Sequence, residues 1–178
     1  GLHQAGVAQA VATCGTALTQ QHLELLTRTG TREILFLFDG DAAGVRAARK
    51  AAELCAREQV PARVATLPDG VDPDEFARKG GQEALEGLFA RAKPAIEHLI
   101  DRALSELGPS ATVEERVRAV EAVREVVLAA PDGLSRELYV ASIAERLHVS
   151  VGAVQAILYE PAKDDRSSRR SFASGAPE

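Results

Sequence analysis

The sequence predicts an α/β protein: a truncated parallel sheet flanked by helices over residues 1–81, an all-α helical subdomain over 82–159 and a disordered tail over 160–178. From residue 7 to about 80, short apolar runs alternate with helical stretches, at the spacing of right-handed crossovers that build a parallel sheet. Within them "EILFLF" carries an unbroken apolar run, which fits a strand covered on both faces. From about Gln82 onward the strand signals stop, and only helical patterns and their turns remain.

The elements follow in order. "GLHQAG" reads as the last turn of a helix ended by Gly6. "VAQAVAT" (Val7 to Thr13) is short and apolar, the first strand of the alternation, and "CGTAL" carries the turn glycine Gly15. "TQQHLELLTRTG" predicts a helix with Thr19 at the N-cap and Gly30 just past its end. After "EILFLF" come the helix "AAGVRAARKAAELCAREQ", the strand "ARVATL", the loop "PDGVDPD" and a short helix closed by Gly80 and Gly81. In the second half, "PAIEHLIDRALSEL" is a helix opened by Pro94. "TVEERVRAVEAVREVVLAA" places Val113, Val117, Val120 and Val127 on one face, with Glu114, Arg118, Glu121 and Glu125 largely off it. Pro131 to Gly133 is a turn, and Ser135 to Leu158 reads as two helices split near Val149 to Gly152. The tail mixes charge with Ser and Pro and has almost no large apolar residue, the composition of a disordered linker.

At 178 residues, with 46% hydrophobic and 26% charged residues, the chain can bury the core of one domain with a helical attachment. No apolar run approaches the roughly 20 residues of a membrane span, and no signal-peptide pattern opens the chain. Cys14 and Cys55 lack CxxC spacing, which suggests neither a disulfide framework nor a zinc site and points to a reducing, cytoplasmic setting. His3, His22, His98 and His148 are scattered singly. The formal net charge of −5 argues against the chain gripping nucleic acid alone, because counterion release needs Lys and Arg in excess on one face. The chain has no methionine, so a preceding segment is expected.

In an open parallel sheet, ligands collect at the carboxyl ends of the strands. Asp39 and Asp41 stand at one such end, and Asp72 and Asp74, in "DGVDPD", at the end of the next strand in sequence. If those strands are neighbours, four carboxylates converge, and like charges that close need a cation. Oxygen-only ligands suit Mg²⁺ or Mn²⁺, which can assist phosphoryl transfer. Asp41 and Asp72 could instead cap the helices that follow them, with Pro73 at a first helical position. Asp69 with Gly70 reads as a turn.

"FDGDAAGVRAARKAAE" followed by "LPDGVDPDEFARKGG" resembles the TOPRIM module of bacterial replicative primases of the DnaG type, as does "GLHQAGVAQAVATCGTALT" upstream. The resemblance covers about the first hundred residues, and the later helices fit the helical subdomain of the primase RNA polymerase core. It implies Mg²⁺-dependent nucleotidyl transfer making short RNA primers for DNA replication within the primosome. Asp39, Asp41, Asp72 and Asp74 would hold the metal, with Asp39 and Asp41 catalytic. Gly15 and Thr16 match a loop of the same site, and Gly40 and Gly44 match a sharp turn and a close helix approach. Arg46 and Lys50, on the helix after DGD, are candidate phosphate contacts. The resemblance further implies a single-stranded DNA template, nucleoside triphosphates, a replicative helicase bound through a domain beyond this chain, Zn²⁺ only in a module outside it, and a monomer. A strand ending in Glu-Gly-Tyr-x-Asp is expected upstream of Gly1, so the chain alone should make no primers.

Other readings remain open on residues alone. A TOPRIM nuclease or topoisomerase would share the acidic pairs, although the tyrosines, Tyr139 and Tyr159, fall in the helical half. A non-catalytic remnant acting as an interaction module would keep the fold. "IAERLHVSVGAVQAIL" has the cadence of a helix-turn-helix, but Val151 to Leu158 offers no Lys, Arg or Asn and only Gln155 to a base edge, which favours a packed hairpin.

Overall fold

The computed structural model describes residues 1–13, 17–38, 42–68 and 71–160. Its first helix, α1 (Gln20–Arg28), starts where expected: the Thr19 hydroxyl accepts the His22 N–H while His22 Nδ1 accepts the Thr19 N–H. It stops at Gly30, whose φ of +86° lets Thr31 N–H reach back to Leu26 O. β1 (Ile34–Phe38) and β2 (Ala62–Thr66) pair in parallel across α2 (Ala42–Arg57), from Ile34 opposite Ala62 to Phe38 opposite Thr66. α3 (Pro73–Ala90) leads into β3 (Lys93–Pro94), antiparallel to β2. Four helices follow: α4 (Ala95–Ser105), α5 (Val113–Leu128), α6 (Gly133–Leu147) and α7 (Val151–Tyr159). No helix among the described residues is long and apolar enough to cross a membrane.

Alternation along the strands divides the core. Leu35, Leu37, Ala65 and Leu67 pack with Phe76, Leu88 and Phe89 of α3 on one face. Phe36, Phe38 and Val64 join Ala52 of α2 and the interior of α4 to α7 on the other, with the Phe36 and Phe38 rings stacked 5.6 Å apart. One continuous cluster therefore links the sheet to the helical bundle. Cys55 is sealed at the sheet end of this interface, and burial pushes its thiol up to about 11. With Cys14 replaced by Ser, Cys55 is expected to react with a thiol reagent only as the chain unfolds in urea; prompt modification in buffer would contradict this packing.

Several expectations need correction. Val7 to Thr13 forms no strand: the segment is irregular, Val11 is exposed, and His3 Nε2 lies 2.7 Å from Ala10 O. Its backbone bonds locally instead, Val7 N–H to Leu2 O and Ala10 N–H to Val7 O, so these groups are satisfied without a strand ladder. Strands do not stop at Gln82, because β3 adds two residues to the sheet. The helix expected to close at Gly80 and Gly81 does break there, Gly81 leaving helical dihedrals (φ 61°, ψ −161°); what was not expected is a second helical stretch that follows at once and runs to Ala90. Pro94 is the N-cap of α4, not its first helical residue. β1 is flanked on both faces, yet all five residues are only half-buried, since it pairs with a single strand among the described residues. Val113 is 72% exposed; the buried face of α5 is Ala119, Val120, Val123, Val126 and Val127. The expected tail, beyond Glu160, lies outside the described residues.

One carboxylate joins β3 to the bundle. Asp101 of α4 accepts from Lys93 of β3 and from Arg146 of α6, the latter at 2.6 Å. Partial burial pushes its carboxyl up, but the two hydrogen bonds and cationic charges outweigh that and hold it below the ordinary range. A group depressed in the folded state contributes stability above its unfolded value, about 3.9, and loses it as pH falls through the folded one. Asp101→Asn is therefore expected to lower the unfolding midpoint at pH 7, with the deficit shrinking below about pH 4; a deficit independent of pH would show that the charge is immaterial.

Candidate metal centre at the carboxyl end of the sheet

The parallel register sets the last residue of β1, Phe38, opposite the last of β2, Thr66. The strands that lead to the two acidic segments are thus neighbours ending at the same level, which is the condition the sequence set for the carboxylates to converge. Asp39, Gly40 and Asp41 lie outside the described residues, as do Gly15, Thr16 and the Asp69–Gly70 turn.

On the β2 side the chain turns through Val71, whose N–H donates to Pro68 O, and enters α3 at Asp72. Asp72 is the N-cap: its Oδ1 accepts the N–H groups of Asp74 (2.7 Å) and Glu75 (3.2 Å), and Pro73 supplies the first-turn φ. The capping alternative is thus realised at Asp72, and it uses one oxygen of two. Asp74 points outward, 55% exposed, with Oδ1 2.9 Å from the Gly1 amine and Oδ2 3.9 Å from Arg78 Nη1. Glu75 is engaged by Lys79 at 2.5 Å. Sequence reasoning missed Arg78; its signal was the four-residue spacing from Asp74.

The chemistry of this donor set fits a hard divalent cation: two carboxylates, no sulfur and no imidazole, at a helix start. Among the described residues no three His, Cys, Asp or Glu side chains cluster, so Asp72 and Asp74 alone are half a cage. Arg46 and Lys50 lie exposed on α2, four residues apart, with no ion pair among the described residues, whereas Arg49 pairs with Glu53 at 2.9 Å and Arg57 with Glu125 at 3.7 Å. Gly44 falls in the first turns of α2.

The suspected helix-turn-helix resolves as a packed hairpin. His148 takes the left-handed conformation (φ 55°), Ser150 caps α7, and Val154 and Leu158 are buried against the bundle. The exposed residues of α7 carry no charge.

Fold and acidic edge together define a TOPRIM-like α/β module continued by a helical bundle. A Toprim-like family model matches residues 1–77, and a second, the DnaB-helicase binding domain of primase, matches 96–152. The DNA primase of Myxococcus xanthus is 42% identical over 158 residues, 89% of this chain and 26% of its own length. A crystal structure of a DNA primase domain from Pseudomonas aeruginosa superposes with a TM-score of 0.70 at 30% identity, over 88% of this chain and 50% of that one. A DnaG primase catalytic domain bound to single-stranded DNA follows at 0.66 and 31%, over 81% and 47%. The chain belongs to the DnaG-type family of bacterial DNA primases, and spans about a quarter of the length of the curated relatives it matches. The helicase-binding match falls within the chain, where the sequence alone had placed helicase contact beyond it.

Proposed function

We propose that this chain contributes the acidic metal site and helical subdomain of a primase that makes short RNA primers by Mg²⁺-dependent nucleotidyl transfer on a single-stranded DNA template. The observation that supports it is that β1 and β2, the strands preceding DGD and DPD in sequence, are parallel neighbours whose last residues, Phe38 and Thr66, lie opposite each other. Asp39, Asp41, Asp72 and Asp74 would hold the cation, Mg²⁺ or Mn²⁺. When bound, it supplies Lewis-acid stabilisation of the triphosphate and of the attacking ribose hydroxyl. The chain's own part is to fix these carboxylates: the Asp72 cap orients the first turn of α3, and Asp74 projects from it toward solvent. Arg46 and Lys50 are candidate contacts for phosphates, and Gly15 with Thr16 for the same site.

The likeness to a catalytic domain bound to single-stranded DNA supports the template, and the match over residues 96–152 supports a helicase partner. We read residues 1–81 as the TOPRIM part, 82–159 as the helical subdomain and 160–178 as a linker, in a cytoplasmic monomer. The test is primer synthesis by the longer protein. Asp39→Asn with Asp41→Asn is expected to abolish template-directed oligoribonucleotides while the circular dichroism spectrum and melting temperature hold; undiminished synthesis would overturn the assignment.

A further inference from the structure

We infer that the Gly80–Gly81 pair is a built joint that aims the Asp72 and Asp74 carboxylates, which makes Gly81 a positioning residue for the metal site. The inference rests on the reading of those aspartates as metal ligands.

The joint divides α3 into two parts held in different ways. The later part, beginning at Gln82, is pinned. Leu85 and Leu88 are buried, and Arg63 of β2 donates from Nε and Nη2 to Ala92 O (3.1 and 2.5 Å), with Nη2 also 3.4 Å from Phe89 O, just where the helix runs out of its own donors. The earlier part, Pro73–Gly80, carries the acidic residues. It packs on Ala65 and Leu67 through Phe76, buries Ala77, and starts at its Asp72 cap. What sets the angle between them is Gly81.

The two glycines are needed for different reasons. Gly81 has φ 61° and ψ −161°, a region of backbone space that is essentially closed to residues with a Cβ. Nothing lies within 4 Å of where a Cβ would stand, so the requirement is one of backbone alone. Gly80 has ordinary dihedrals but no room: its Cβ would stand 2.4 Å from the Cβ of Ala84, a rigid group one turn away across the bend. Ala84 closes the inside of the bend and Gly81 supplies its direction. The first turn of the chain spans the joint, with the Gly1 amine at Asp74 on one side and Gly6 against Gln82 on the other, where a Cβ would meet Oε1 at 2.9 Å. Alanine at 81 drives the backbone toward a continuous helix and swings Pro73–Gly80 away from the edge where β1 ends.

The test uses the full chain with Cys14→Ser, in which spin labels at Lys79→Cys and Arg91→Cys report the bend and Mn²⁺ titration reports the site. A straight helix would set the labelled backbone positions about 18 Å apart. Gly81→Ala is expected to move the label separation toward that value and to weaken Mn²⁺ binding at least tenfold. Val126→Ala, a destabilising change in the bundle far from the joint, should leave the affinity of the folded chain unchanged. An unchanged separation in Gly81→Ala would overturn the joint. A changed separation with undiminished Mn²⁺ affinity would overturn its positioning role. If the unsubstituted chain binds no Mn²⁺, the metal reading of Asp72 and Asp74 fails and the positioning role with it, while the label separation still decides whether Gly81 sets the bend.

Discussion

Ile143→Ala is expected to destabilise the chain by about 2–5 kcal/mol, the range for buried large-to-small changes that leave a cavity. Ile143 is wholly buried in the cluster that joins the helical bundle to Ala52 of α2 and Val64 of β2. Native domains are stable by only about 5–15 kcal/mol, so the loss is a large share. At roughly 2–4 °C per kcal/mol for a chain of this size, the melting temperature should fall by roughly 4–20 °C. Because the same cluster touches sheet and bundle, both should unfold together. Far-UV circular dichroism and the near-UV signal of Tyr139, which is half-buried against the cluster, should give coincident transitions. Val113→Ala, at an exposed position, should stay within about 0.5 kcal/mol. Two separated transitions in the unsubstituted chain would show that the halves are independent domains.

The features legible in the sequence were those with local causes. Thr19 and Gly30 mark the ends of α1 through side-chain and backbone bonds made within a few residues. At the start of α5 the Thr112 hydroxyl and the Glu115 carboxylate exchange hydrogen bonds with each other's N–H, another short-range signal. What was not legible depended on distant chain. β3 consists of Lys93 and Pro94, a poor strand by any propensity, and exists because Val64 and Arg63 lie beside it. Val113 fits the helical period, but α5 meets its neighbours only from Ala119 onward among its fully buried residues. The acidic pairs were legible by spacing, the adjacency of the strands that lead to them was not, and the double glycine could be read as a helix end but not as the start of a second helical stretch. A Gly-Gly pair announces a break in helical dihedrals; whether the chain resumes its helix depends on Leu85 and Leu88 finding a core.

Asp72 offers a separation of structure from chemistry that the other aspartates do not. Its Oδ1 closes the first turn of α3 through two N–H groups, a task asparagine performs as well as aspartate. Asp72→Asn should therefore keep the cap, losing at most the roughly 0.3–1 kcal/mol of a negative charge at a helix start. Asp72→Ala should lose about 0.5–2 kcal/mol, with faster amide exchange at Asp74 and Glu75. Metal binding responds to charge: if the second oxygen of Asp72 faces a cation shared with Asp74, Asp72→Asn should weaken Mn²⁺ binding at least tenfold, a loss of about 1.4 kcal/mol or more. Asp74→Asn should weaken it likewise while leaving the cap intact. Mn²⁺ titrations of the three variants against their melting temperatures distinguish the two roles. Affinity lost in Asp72→Asn with the fold retained makes Asp72 both cap and ligand; affinity retained there and lost only in Asp72→Ala makes it a cap that acts on the site through Asp74.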